Sequence, residues 1–169
     1  MREDLVDRAD ALTREKIAPR AARYDREGKN PVESWSDLQR EGYLACAIPA
    51  AYGGMGLDMA SYIGVIRVIA RGCASTAMTL HMHSTVMRFI DTLGTEAQKG
   101  RYFPEVVRFG KLFGSWGSEP AVSLSRTFLM ETAIRRNGDD WVVDGVKHFC
   151  RSEERRVGKE CRSRWSPYH

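Results

Sequence analysis

The sequence has 169 residues, of which 43% are hydrophobic and 28% charged, values that are ordinary for a soluble globular protein. No apolar run approaches the roughly 20 residues that a membrane-spanning helix needs, and residues 1–16 lack the apolar core of a secretory signal, so we expect a cytoplasmic protein. The formal net charge of +4 is concentrated in residues 151–169, which carry six Lys/Arg and three Asp/Glu, so the rest of the chain lacks the basic excess of a nucleic-acid-binding protein.

The N-terminal part of the sequence is predicted to be helical. Apolar residues recur at steps of three to five through residues 2–27, an amphipathic pattern that Pro19 should kink or divide. A short helix is predicted from about Ser34 to Glu41, and Gly42 should end it.

The next segment, AIPAAYGGMGLD, contains glycines that could indicate a phosphate-binding loop. The dinucleotide-binding pattern G-x-G-x-x-G would require glycine where Met59 stands, and no strand precedes the glycines. The favoured interpretation is therefore a turn that leads to Asp58 as the N-cap of the following helix.

Two longer helices are predicted at residues 58–71 and 75–93. On each helix, apolar residues share one face that we expect to contact the core: Met59, Ile63, Ile66 and Ile69 on the first, and Met78, Met82, Phe89 and Leu93 on the second. His81 and His83 lie two residues apart on the second helix, so their side chains should point about 200° apart. Since the four cysteines are also widely spaced, we expect no metal site.

The last predicted helices precede a change of pattern at about Lys111. Thr95 and Gln98 form a capping-box pattern that begins a short helix, and Pro104 should begin a further helix that Gly110 closes. The stretches LFGSW, FLMETAIRR, DDWVVDG and VKHFC are then typical of strands, with turn signals at N-G and D-G. The sequence therefore predicts an α+β fold, with a helical domain at residues 1–111 and an antiparallel β domain from residue 112 to 150.

Residues 151–169 have neither a helical nor a strand period. Their composition allows an arginine-rich arm for RNA or phosphate, a membrane-surface patch or a solvated disordered end. All nineteen residues also resemble the translation of a common sequencing adapter in one reading frame, and a segment of that origin is not part of the native fold. We therefore treat this segment as a non-native disordered tail and expect no nucleic-acid partner.

Five motifs together resemble the acyl-CoA dehydrogenase family. IPAAYGGMGLD is similar to its P-x-x-Y-G-G-x-G turn, RGCASTAMTLHMHS to its helix with a G-x-x-S-x-A segment, and LGTEAQKGRYFPEV to its G-T-x-x-Q-K-x-x-Y-x-P stretch. SEP resembles the T-E-P that opens the flavin-binding strand, and DGVKHF resembles the N-G-x-K-x-F/W that continues it. The motifs occur in the family's order and at its separations.

The resemblance implies an N-terminal all-α domain, a middle antiparallel β-barrel that is truncated here, and a C-terminal four-helix bundle, with FAD between barrel and bundle. It implies α,β-dehydrogenation of an acyl-CoA in fatty acid metabolism: a carboxylate takes the α proton while a hydride leaves the β carbon for the flavin. It also implies a homo-oligomer and an electron-transfer flavoprotein as electron acceptor. The catalytic base is expected in the bundle, so this chain alone should be inactive.

The resemblance also assigns residues to the flavin. Ser118 falls on the family Thr whose hydroxyl and backbone approach the flavin ring, and a serine hydroxyl is an equivalent donor and acceptor. Trp116 and Gly117 precede it on the same strand. Phe149 falls on the aromatic residue that packs against the isoalloxazine.

One departure from the family pattern leaves the reaction open. Many members have G-x-G-S-D after T-E-P, whereas this chain has AVSLSR. Leu124, or Ser123 or Ser125 if a gap shifts the alignment, then takes the position of a serine that contacts the CoA thioester arm. A flavin-dependent monooxygenase of the same fold therefore stays an alternative, and so does a helical interaction module without chemistry. Lys147 and Glu119 are expected to be structural rather than catalytic.

Overall fold

The structure, a computed structural model, describes most of the chain: residues 1–115, 117–119, 130–147 and 164–165. The chain divides into two compact units, the first at residues 1–113 and the second from residue 114 onward. The first unit is helical, and the second contains an antiparallel sheet, so the predicted α+β class is confirmed.

The helical unit begins at Glu3 and its last helix ends at Phe109. Its elements are α1 (Glu3–Leu12), a π-helical turn (Thr13–Ile17), α2 (Ala18–Glu27), α3 (Val32–Arg40), 3-10 turns (Tyr43–Ala45 and Ala50–Tyr52), α4 (Met59–Gly72), α5 (Ala74–Leu93) and α6 (Glu96–Phe109). Among the described residues, no helix combines the length and the apolarity that crossing a membrane demands.

Pro19 divides the first helical stretch, as predicted. The chain stays helical from Glu3 to Glu27, but Thr13–Ile17 form a wider π-helical turn just before Pro19, which lies in the first turn of α2. A proline ring clashes with the carbonyl four residues earlier and has no N–H to donate to it. The π-helical turn accommodates this defect within the helix, so α1 and α2 are divided without a loop.

Gly72, the last residue of α4, lies against the π-helical turn. A Cβ atom at Gly72 would overlap the methyl group of Thr13 and would lie 3.1 Å from the Cβ of Ala18. Thr13 is itself buried, and its hydroxyl donates to the carbonyl of Ala9 at 2.7 Å. The absence of a side chain at Gly72 therefore allows α4 to approach the π-helical turn closely.

Two predicted helix caps are confirmed. Asp58 caps α4, because its Oδ1 accepts the backbone N–H of Ser61 at 2.9 Å. At α6, the Gln98 N–H donates to Thr95 Oγ1 at 3.3 Å and the Thr95 N–H donates to Gln98 Oε1 at 2.8 Å, which completes the capping box. Both caps satisfy N–H groups that have no partner within the helix.

The helix that was expected to begin at Pro104 is not a separate element, so that prediction was wrong. A single helix, α6, runs through Pro104 and ends at Gly110, whose φ of +63° gives the left-handed cap that the sequence predicts. Phe103 and Val106 are both buried, one on each side of the proline. Their burial holds both turns of α6 against the core, and this packing outweighs the lost hydrogen bond.

The core-facing sides of α4 and α5 also differ from the prediction. Five of the eight residues expected to contact the core are 46–79% exposed: Met59, Ile63, Met78, Phe89 and Leu93. Ile69, one of the eight, is buried as predicted, and the other buried residues include Tyr62, Val65 and Val68 on α4 and Ala77, Leu80, His83 and Met87 on α5. Both helices are apolar on more than one side, so the periodicity did not identify the buried one.

The sheet of the second unit is built on a hairpin of β1 (Ala133–Asn137) and β2 (Asp140–Asp144). The strands are antiparallel with Asn137 opposite Asp140, and Gly138 has a φ of +64°, so the predicted N-G turn is confirmed. A third strand, β3 (Arg164–Trp165), pairs with β2. At these two residues the chain forms a strand where the sequence predicts a disordered tail.

The predicted strand LFGSW does not form at residues 112–115, the part of it that the structure describes. The backbone N–H of Phe113 donates to the ring of His83 at 3.0 Å instead of to a neighbouring strand. Because strand pairing requires those N–H groups to be available to a partner, this contact holds Phe113 to the helical unit.

Candidate functional site

The structure describes two of the predicted site residues, Gly117 and Ser118. Gly117 is half-buried and Ser118 is exposed. The other predicted site residues lie outside the described residues: Trp116, Ser123, Leu124, Ser125 and Phe149. The described part of the site therefore consists of Gly117, Ser118 and Glu119, together with the residues of the second unit that contact Glu119.

Glu119, the central residue of S-E-P, is buried and receives four hydrogen bonds. Its Oε2 accepts the backbone N–H of Glu131 at 2.5 Å. Its Oε1 accepts the backbone N–H of Thr132 at 3.0 Å, the Thr132 hydroxyl at 2.5 Å and the Lys147 ammonium group at 2.6 Å. We call Glu119, Thr132 and Lys147 the carboxylate cluster.

The carboxylate cluster keeps Glu119 ionised. The hydrogen bond from Lys147, followed by that from the Thr132 hydroxyl, lowers the pKa of Glu119 from 4.5 to about 2, although desolvation acts in the opposite direction. The side chains of Glu119 and Lys147 are only 2% and 13% exposed. A buried carboxylate is tolerated when it is paired and its oxygens accept hydrogen bonds, and both conditions hold here.

This arrangement positions a segment rather than transferring protons. A general base works best with a pKa near the operating pH, and a carboxylate with a pKa of about 2 accepts a proton too weakly. Ser118, in contrast, is an exposed residue directly beside the anchored Glu119. The ion pair agrees with the expectation that Lys147 and Glu119 are each structural rather than catalytic. The sequence pattern predicted neither their pairing nor the contact with Thr132.

The helical unit buries the imidazole of His83. Its Nδ1 accepts the backbone N–H of Phe113 at 3.0 Å, so its Nε2 carries the proton and donates to the carbonyl of Leu44 at 3.0 Å. Burial lowers the pKa of His83 from 6.5 to about 4. His81 contacts Tyr62 instead, with 2.8 Å between its Nδ1 and the tyrosine hydroxyl. The two rings thus diverge, as predicted from their spacing.

The helical unit decides the family of the chain. Residues 2–109 match the family model described as the acyl-CoA dehydrogenase N-terminal domain. The chain belongs to the acyl-CoA dehydrogenase family. This membership confirms the resemblance that the five sequence motifs indicated.

Two curated relatives are similar in sequence to most of this chain. The chain is 30% identical over 145 residues to cyclohex-1-ene-1-carbonyl-CoA dehydrogenase of Syntrophus aciditrophicus, and this match covers 86% of this chain and 35% of that protein. The chain is also 27% identical over 139 residues to dibenzothiophene monooxygenase of Rhodococcus erythropolis, and this match covers 80% of this chain and 32% of that protein. The chain thus spans about a third of the length of these curated relatives.

A solved structure shares the fold. Butyryl-CoA dehydrogenase from Megasphaera elsdenii has a TM-score of 0.76 to this chain at 27% identity, over 88% of this chain and 40% of that one. The acyl-CoA dehydrogenase fold therefore extends beyond the helical domain that the family model matches.

Proposed function

We propose that the complete protein is an FAD-dependent acyl-CoA dehydrogenase that introduces an α,β double bond into an acyl-CoA thioester. The observation that carries the proposal is the S-E-P segment, in which buried Glu119 is anchored by Lys147 and Ser118 stays exposed. Family membership of residues 2–109 supports the same reaction class.

The residues of this chain fit a flavin on the exposed side of S-E-P. The Ser118 hydroxyl can donate to or accept from a polar atom of the ring, and half-buried Gly117 carries no side chain that would block close approach of the ring to the backbone. Trp116 and Phe149 are proposed to add apolar contacts. When bound, FAD supplies the redox chemistry by accepting a hydride from the substrate.

The proposed role of this chain is binding and orientation, not proton removal. Glu119 is held ionised by Lys147 and is therefore unsuited to take the α proton. We propose that the base is a carboxylate elsewhere in the complete protein and that the 169-residue chain alone is inactive. Ser123, Leu124 and Ser125 are proposed to contact the CoA thioester arm.

The proposal extends to the partners of the complete protein. An electron-transfer flavoprotein would reoxidise the flavin, and the protein would be a cytoplasmic homo-oligomer. The resemblance to the family supports the acceptor and the assembly. Mixing the reduced protein with an electron-transfer flavoprotein and following flavin absorption would test the first part.

A flavin-dependent monooxygenase is the second candidate function. Two observations favour it: AVSLSR replaces the family segment that contacts CoA, and dibenzothiophene monooxygenase is among the relatives. A monooxygenase of this fold would need reduced flavin and oxygen rather than a thioester.

One experiment separates the two candidates. The complete protein, expressed from the uninterrupted gene, is mixed without oxygen with a panel of saturated acyl-CoA thioesters that includes butyryl-CoA. Bleaching of the visible flavin absorption supports the dehydrogenase. No bleaching, together with oxygen insertion into dibenzothiophene by the reduced protein, supports the monooxygenase. A purified protein that contains no flavin contradicts both.

A further inference from the structure

We infer that the carboxylate cluster is a positioning device that fixes Ser118 against the flavin. This inference rests on the proposed function, because it assigns a role at the same site to Glu119, Thr132 and Lys147. The three residues lie 13 to 28 positions apart in sequence. A single carboxylate therefore connects three segments of the second unit.

Two backbone N–H groups just before β1 bind the Glu119 carboxylate. The N–H groups of Glu131 and Thr132 would donate to carbonyls of a neighbouring strand in a regular sheet. Here both donate to the Glu119 carboxylate, and neither residue belongs to β1, which begins at Ala133. Glu119 thus replaces a strand partner at this place, and its side chain determines where the S-E-P segment lies.

Residues 144–147 form a second segment that reaches the carboxylate cluster. Lys147 reaches Glu119 from this segment, and Gly145 lies so close to Thr132 that a Cβ atom at Gly145 would be 2.7 Å from the Thr132 Cα. Two independent contacts therefore bring this segment against the same cluster. The resemblance assigns flavin contacts to Ser118, which directly precedes Glu119 in sequence, and to Phe149, which follows Lys147 by two residues.

The buried Glu119–Lys147 ion pair contributes geometry more than stability. A buried ion pair is a poor source of stability, because apolar residues of similar volume often stabilise as well or better. It does specify geometry, since the donors and acceptors must align. Four donors on one carboxylate fix the side chain of Glu119, and the adjacent Ser118 is fixed with it. We therefore assign the cluster to orientation of Ser118.

The test uses the complete flavin-containing protein and the variants Glu119→Gln, Lys147→Met and Lys147→Arg. Glu119→Gln keeps the size of the side chain but loses its charge, and Lys147→Met loses the ammonium group. Both should raise the Kd for FAD by about tenfold or more and shift the visible spectrum of bound flavin. Lys147→Arg should restore most of the affinity because it keeps the charge.

The matched control is Lys111→Met, which removes an exposed lysine paired with Glu105 in the helical unit. It should leave FAD affinity and the flavin spectrum unchanged, since exposed ion pairs contribute little. Circular dichroism verifies that each variant is folded. If Glu119→Gln does not fold, the comparison of FAD affinity with wild type is made with Lys147→Met.

The outcomes separate this inference from the proposed function. A wild-type protein without flavin contradicts the proposed function itself. A wild-type protein with flavin, together with a folded Lys147→Met variant whose FAD affinity and flavin spectrum match wild type, overturns the inference alone.

Discussion

Acidification from about pH 8 to about pH 5 should destabilise the helical unit chiefly through His83. Burial lowers the pKa of this histidine from 6.5 to about 4, so the folded protein keeps it neutral over this range. The unfolded chain takes up a proton as the pH falls below 6.5. Stability is therefore fully present above the unfolded pKa and is lost progressively as the pH falls towards the folded pKa.

The size of the effect follows from the two pKa values of His83. At about pH 5 the difference corresponds to a loss of about 2 kcal/mol in the free energy of unfolding, and the loss reaches about 3 kcal/mol near pH 4. The pKa of Glu119, lowered to about 2, affects stability only at lower pH, below about 4.5. His83 should thus dominate between pH 5 and 8.

Urea unfolding of the 169-residue chain, followed by helical circular dichroism at several pH values, measures this loss. The variant His83→Gln should be less stable at pH 8 by about 1–3 kcal/mol, because a buried hydrogen-bond partner of Phe113 or Leu44 is lost. Its stability should however change little between pH 8 and 5. Equal pH dependence in wild type and His83→Gln would show that a group other than His83 causes the loss of stability.

Three further changes test the packing of the helical unit. Gly72→Ala should lower the free energy of unfolding by about 1–3 kcal/mol, because the added methyl group would overlap the π-helical turn. The control Gly100→Ala meets open space among the described residues and should raise the free energy of unfolding by up to about 1 kcal/mol. Equal Tm values for the two variants would contradict the close approach of α4 to the π-helical turn. Thr95→Ala should lower the free energy of unfolding by about 1 kcal/mol, because the capping box at the start of α6 is lost. An unchanged urea midpoint would argue against that cap. Replacing exposed Phe89 and Leu93 with glutamine should change stability by less than about 0.5 kcal/mol yet reduce self-association in light scattering; a large loss of stability would mean that these side chains are buried.

Local signals predicted the parts of the fold that depend on a few neighbouring residues. The caps at Asp58 and Thr95 and the turn at Gly138 each depend on side-chain chemistry within about four positions, and all three formed. Periodicity was insufficient for α4 and α5. Because Met78 and Leu80 lie on different sides of the same helix and both are apolar, only the packed neighbours decide which one is buried.

Contacts between distant segments were beyond prediction from the sequence pattern. The bond from Phe113 to His83 spans 30 residues and replaces the strand expected at LFGSW. The bond from Thr132 to Glu119 likewise joins residues that no local spacing relates. The motif S-E-P identified the candidate site, but the reason that Glu119 is buried became evident only from its partners.

A crystal structure of the complete protein with FAD would show directly where Ser118 lies relative to the flavin. We expect the Ser118 Oγ to lie about 3 Å from a polar atom of the flavin ring, with Glu119 still paired to Lys147. A flavin bound away from the S-E-P segment, or a Ser118 hydroxyl that faces only solvent, would contradict the central claim.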